Sequence, residues 1–199
     1  MVVIGIDIGK TGAVAKVDHN GGAEVHDLPL RKVGEAKVVK VRSKKAPVPG
    51  KKAKTRVKQA VRICGDQLLA LLRQLVPPGE AALIVYEDVQ ARPQGNGGAH
   101  GNSIQSQGSL MHSRGVVEGV LDVFGHETRA IRPQAWKEHF KLTETKEQKA
   151  ANGGKADKNA SREKAVALFP ALAEQLRPVK AHNQSEACLI AAYGLSELT

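Results

Sequence analysis

Four residues stand in settings that point to chemistry: Asp7, Glu87, His182 and Glu186. Asp7 lies inside Val2-Val3-Ile4-Gly5-Ile6-Asp7-Ile8-Gly9, a run that otherwise reads as a buried strand. A carboxylate there loses hydration, at a cost that a bound metal would offset. Glu87 closes the apolar run 81–87, with Asp88 beside it. Strand alternation sends these two acids to opposite faces, so one of them can serve a site on a given face. Glu186 falls near the start of a C-terminal helical pattern. His182 lies four residues before it, on the same helical face, and Asn183 is one turn away. Each has an ordinary alternative. Asp7 would be a turn acid, Glu87 a solvated strand end, Glu186 a surface acid near a helix N-terminus, and His182 a structural histidine.

Elements that must position these residues follow from pattern and punctuation. Residues 2–8, 12–18 and 23–30 read as three strands in a meander, with turns through Gly9 to Gly12 and His19-Asn20-Gly21-Gly22. Residues 57–76 carry Val57, Val61, Cys64, Leu68, Leu72 and Leu75 at helical spacing, and Pro77-Pro78-Gly79 ends the run. Residues 81–87 are a fourth strand, apolar as a strand covered on both faces should be. A Gly-, Asn- and His-rich loop at 92–103 leads to a helix over 104–124, with small residues at Gly108, Ser109, Ser113, Gly115 and Gly119. Residues 126–131 are a fifth strand. A short helix begins near Pro133, a Lys-rich loop spans 143–160, and helices follow at 161–168 and 182–198.

The segment from Arg31 to Lys58 holds a dozen Lys and Arg against one acid, Glu35. It is a basic loop or an extended hairpin, and a block so one-sided repels itself unless an anion neutralises it. The whole chain of 199 residues carries a net charge of +10, which points to a polyanionic partner. Aromatics make up only 3%, which argues against stacking platforms and for recognition of backbone and shape. Cys64 and Cys188 stand far apart in apolar contexts and read as buried reduced thiols, with no zinc-like spacing. No apolar run reaches the ~20 residues of a membrane span, and since Met1 leads straight into a strand pattern no signal peptide is expected.

The order βββ-α-β-α-β-α-α is that of the RNase H-like fold: an α/β domain with a five-stranded mixed sheet flanked by helices. The expectation is a single domain over 1–199, with the basic segment inserted at about 31–58. In that fold, acids from strand one, the end of strand four and the last helix meet. Here these are Asp7, Glu87 and Glu186. Together they would hold two Mg²⁺ ions roughly 4 Å apart, the arrangement for in-line phosphodiester hydrolysis. Mg²⁺ suits such a site because it keeps several waters and needs few carboxylates. An actin-like nucleotide-binding domain also begins with an acid on its first strand, as in Asp7-Ile8-Gly9-Lys10-Thr11-Gly12, but it needs a second domain for which this chain lacks room. A non-catalytic basic nucleic-acid binder and another RNase H-like enzyme, such as a ribonuclease, are the remaining alternatives.

Several blocks carry a closer resemblance. They are Ile4-Gly5-Ile6-Asp7, Val85-Tyr86-Glu87, Arg132-Pro133-Gln134-Ala135-Trp136-Lys137 through Leu142, Ser161-Arg162 through Pro170, and His182 through Gly194. On these the chain resembles the RuvC-like Holliday junction resolvases, and within them the branch that includes the chloroplast resolvases and related bacterial and phage-type enzymes. The resemblance implies a homodimer that grips a four-way DNA junction and makes paired symmetric nicks with two Mg²⁺ ions per active site, Mn²⁺ serving as a substitute. It places metal-binding and catalytic roles on Asp7, Glu87, His182 and Glu186. The family's fourth position falls on either His182 or Asn183, since Asn183 stands where bacterial RuvC has Asp. DNA contacts are expected from Lys37, Lys40, Arg42, Lys44, Lys45, Lys51, Lys52 and Lys54, from Arg92 and Gln94 in the loop, and from Lys137. The helix at 104–124 is the expected dimer contact. The implied location is the chloroplast nucleoid, with a transit peptide removed, for a plant or algal member, or otherwise a bacterial or phage-infected cytoplasm.

Overall fold

The computed structural model describes residues 1–9, 11–40, 55–91, 103–143, 145, 147 and 158–198. In chain order these form β1 (Val2–Asp7), β2 (Ala13–Asp18), β3 (Ala23–Asp27), β4 (Leu30–Lys40), β5 (Thr55–Ile63), α1 (Gly65–Leu75), β6 (Ala82–Glu87), α2 (Ile104–Phe124), β7 (Glu127–Ile131), α3 (Pro133–His139), α4 (Lys158–Leu168), α5 (Ala173–Leu176) and α6 (His182–Ser196).

Five strands make one mixed sheet in the order β3-β2-β1-β6-β7. The first three are antiparallel neighbours, while β1–β6 and β6–β7 are parallel. This is the RNase H-like topology expected from the element order. Its central strands read as apolar on both faces because both are covered. Val2, Ile4, Ile6 and Ile8 of the first strand and its extension meet Leu68 and Leu72 of α1 and Val117 and Leu121 of α2. Val3, with Leu83 and Val85 of β6, faces Ala187, Cys188 and Ala191 of α6. No described helix is long and apolar enough to cross a membrane.

One sequence expectation fails. The helix placed over 57–76 begins only at Gly65, and residues 55–63 form β5 instead. Val57 and Val61, four apart, fit a helical face and equally one face of a strand, where every second residue aligns. Three β-branched residues, Val57, Val61 and Ile63, tip the balance toward strand. Ile63 is buried in the core and roots the hairpin, and the Cys64 amide donates to the Pro29 carbonyl.

The basic segment is accordingly an extended hairpin where it is described. β4 and β5 pair antiparallel as a separate two-stranded sheet. Its register shifts between Val33 and Lys37, beside Gly34 at φ 66°, a backbone conformation suited to glycine at a bulge. Residues 41–54, with Arg42, Lys44, Lys45, Lys51, Lys52 and Lys54, lie outside the described residues. So do Arg92 and Gln94, with most of the 92–103 loop, and most of the Lys-rich loop at 143–160.

Candidate active site

The alternation of two parallel strands sorts the acids. In β1, Val3, Gly5 and Asp7 share the face covered by α6. In β6, Leu83, Val85 and Glu87 share that same face. Glu87 accordingly turns toward α6 and α3, where its Oε1 accepts a hydrogen bond from Trp136 Nε1 at 3.1 Å. Asp88 turns the other way. It accepts from Arg114 of α2 at 2.6 Å, and Arg114 also donates to the Val89 carbonyl at 2.8 Å and to Glu118 at 2.8 Å. Tyr86, on that same side, donates to Glu118 at 3.2 Å. Asp88 is thus committed to fastening the end of β6 onto α2, and the choice between the two acids that the sequence left open falls on Glu87.

The third acid arrives on α6, which lies directly across β1. Contact is backbone to backbone: a methyl built on Gly5 would overlap the Ala187 carbonyl oxygen and the Ala191 nitrogen. At the far end of the helix a methyl on Gly194 would meet Val3 Cγ1 at 2.9 Å. Ala187, Ala191 and Gly194 form a narrow small-residue face that lets the helix settle onto the strand. Glu186, beside Ala187, is thereby brought against Asp7, two residues beyond Gly5.

Electrostatics record the convergence. Asp7 is 8% exposed. Its carboxyl is held well above the usual carboxylate range, first by desolvation and then by the charges of Glu186 and Glu87, with Lys137 opposing. Glu87 is also raised, chiefly by burial and further by Glu186. The Trp136 hydrogen bond and the charges of Lys137 and His182 pull it back. His182 Nε2 stands 3.3 Å from Glu186 Oε2, and Lys137 Nζ stands 3.7 Å from Glu186 Oε1.

The structure therefore brings together Asp7, Glu87, Glu186, His182 and Lys137. Asn183, the other candidate for the fourth position, has its amide nitrogen engaged by Thr11. Its amide donates to the Thr11 carbonyl and to Thr11 Oγ1, tying the β1–β2 turn to the start of α6. Lys137, expected among DNA contacts, stands at the carboxylates and not on the hairpin. Trp136 has a role that the sequence did not reveal. It is fully buried and orients Glu87, and the Arg132–Leu142 block was the signal that pointed to it.

The donor set fits a hard divalent cation: three carboxylates, two of them burdened by burial and mutual repulsion that a cation would relieve. Among the described residues, no group of three or more His, Cys, Asp or Glu side chains already stands in ion-holding geometry. Two basic side chains border the cluster: His182, with Nε2 3.3 Å from Glu186, and Lys137, whose ammonium stands 3.7 Å from it.

Trp136→Phe keeps the ring in the core and deletes the donor to Glu87. We expect cutting to fall about tenfold, the scale seen when a group orienting a metal ligand is lost, with a stability loss of roughly 1 kcal/mol. Single-turnover cleavage below the melting temperature checks this, and a rate within twofold of wild type would remove Trp136 from the site.

No family model matches the chain, and no curated protein matches it. Among solved structures, the chain is similar to Thermus thermophilus RuvC in complex with a Holliday junction substrate, at 13% identity and a TM-score of 0.49, covering 99% of this chain and 96% of that one. It is also similar to Thermus thermophilus RuvC alone, at 17% identity and a TM-score of 0.45, covering 100% and 98%. The fold assignment rests on strand order and direction, and the site rests on its own geometry.

Proposed function

We propose that the chain is a single-domain, divalent-cation-dependent endodeoxyribonuclease that resolves four-way DNA junctions by paired nicks. The observation that carries this reading is the convergence of Asp7, Glu87 and Glu186 from three separate elements onto one desolvated spot beneath α6. An acidic cluster that costs stability in the free protein makes sense as a cation site. The residues that would hold the ion are these three acids, with His182 either as a further ligand or as a partner of Glu186. Bound Mg²⁺ would supply activation of water and neutralisation of charge on the departing 3′ oxygen. Trp136 fixes the Glu87 carboxylate, and Asn183 holds the adjoining turn through Thr11.

Substrate class is argued from the hairpin. Its register sets Arg31 opposite Arg62 and Lys37 opposite Lys58. Like charges directly opposite one another are unfavourable in a sheet, and a row of phosphates would neutralise them. Val38 and Val57 also pair across the strands, 71% and 70% exposed, an apolar patch suited to lie against deoxyribose. On α2, Gly108, Gly115 and Gly119 lie within one sector of the helix with open space where a side chain would stand. This is the surface we assign to a second copy of the chain, which would place two sites on one junction. Such a substrate arises in a plastid nucleoid and in a bacterial or phage-infected cytoplasm alike.

The test is cleavage of synthetic four-way junctions with Mg²⁺, each strand labelled in turn. Symmetric nicks in opposing strands support the proposal. Junction binding without nicks, cutting confined to RNA-containing strands, or ATP turnover would each replace it with one of the alternative readings.

Neutralising the hairpin by Lys37→Gln, Lys40→Gln and Lys58→Gln should weaken junction binding and reduce the steepness of its salt dependence. Each lost phosphate contact removes about 0.9 from the slope of log K against log salt. Binding titrations across a range of salt concentrations read this directly, and an unchanged slope would make the hairpin a bystander.

A further inference from the structure

Lys137 sits at the carboxylate cluster in a way that a DNA contact alone does not explain. Its neighbour Trp136 is fully buried and hydrogen-bonded to Glu87, so the backbone at 136–137 is fixed relative to the acids. From there the Lys137 side chain reaches toward Glu186 and passes over the Trp136 ring, with Nζ 4.8 Å from the ring centroid. The separation from Glu186 Oε1, 3.7 Å, is an ion pair but too long for a hydrogen bond. Glu186 is enclosed, with 13% of its side chain exposed, while Lys137 has 37% exposed and an open route outward. An ammonium on a flexible four-carbon stem, loosely paired at one end and open to water, is a displaceable counter-charge.

We propose that Lys137 is a resident counter-cation of the metal-free cluster, beside His182, and that an arriving divalent ion displaces it from Glu186. The inference rests on the reading of Asp7, Glu87 and Glu186 as the cation site. Lys137 screens the acids while the site is empty and repels the ion that replaces it. Once displaced, its ammonium is free to meet a phosphate oxygen, which joins its position at the acids to the DNA contact expected from the sequence.

Two measurements on the DNA-free protein test this. The first is Mn²⁺ affinity by electron paramagnetic resonance for wild type, Lys137→Met and Lys137→Arg. Loss of an ammonium's repulsion toward a nearby dication should tighten Mn²⁺ roughly 3- to 10-fold in Lys137→Met, while Lys137→Arg, which keeps the charge, should not gain. The second is the rate of amine labelling at Lys137 in wild type, read by mass spectrometry, which should rise on addition of Mg²⁺. Unchanged or weaker Mn²⁺ binding in Lys137→Met, or a labelling rate indifferent to Mg²⁺, overturns the role of Lys137. An Asp7→Asn control that binds Mn²⁺ as wild type does overturns the cation site itself, a separate failure with a separate signature.

Discussion

Asp7→Asn is expected to abolish cutting while leaving junction binding intact, and to make the metal-free protein more stable. The substitution keeps shape and removes charge. Asp7 is buried among two other acids, so its ionised form is the costly one in the fold. Cutting should fall on the order of 10³-fold or more, because groups that act as one unit are not replaceable singly. Glu87→Gln and Glu186→Gln should act alike. The stability change has a definite sign. A carboxyl whose folded pKa is raised contributes stability in full below its ordinary value of 3.8, and that contribution is lost as the pH rises through the raised value. Asparagine does not titrate. The advantage of Asp7→Asn should therefore be small in acid and grow toward neutrality, reaching roughly 1–3 kcal/mol. Melting curves across pH, with and without Mg²⁺, check both halves: Mg²⁺ should raise the melting temperature of wild type and not of the variant. Wild-type cutting rates in Asp7→Asn would remove the catalytic assignment outright.

Gly5→Ala should do comparable damage without touching an ionisable group. The added methyl would collide with backbone atoms of Ala187 and Ala191 and come within 2.9 Å of Ala191 Cα, and no side-chain rotation relieves that. The helix must lift from the strand. We expect a stability loss of about 1–3 kcal/mol, seen as a fall of roughly 3–10 °C in melting temperature. Cutting should fall by ~10²-fold even where the protein is folded, because Glu186 moves with the helix and a displacement near 1 Å is enough. A variant that melts lower yet cuts at the wild-type rate would show that α6 can shift without separating the acids.

Gly5 also shows what the sequence conceals. Asp7 was legible because it breaks an apolar pattern, Glu87 because it ends one and Glu186 because it stands near the start of the last helix, and the order of elements says where these can meet. The strands of the main sheet were legible as short apolar runs bounded by turn residues, and the last helix as a long apolar run after a polar first turn. Gly5 breaks no pattern. In sequence it is one small residue in a strand, and its meaning depends on a helix that starts far along the chain. Lys137 was equally opaque, since a lysine beside a tryptophan looks like any surface cation until the fold sets Glu186 against it. The choice between Glu87 and Asp88 was half-visible: alternation demanded that the two part, but only the fold, with Trp136 at Glu87 and Arg114 of α2 at Asp88, says which went where. At 57–63 the two periods coincide on Val57 and Val61, and β-branching decides between them.

The pairing of cation against cation in the β4–β5 hairpin bears on local stability as well as on binding. Two like-charged pairs weaken one small sheet that shares no hydrogen-bonded strand with the main one. Local opening can cost far less than global unfolding, and these opposed charges lower what holds the hairpin closed in the free protein. If the hairpin meets phosphates as proposed, part of the gross attraction must go into holding the two strands together. Under the proposed function the net affinity for DNA would be smaller by that amount, and a cut product would leave more readily than the charge alone would allow.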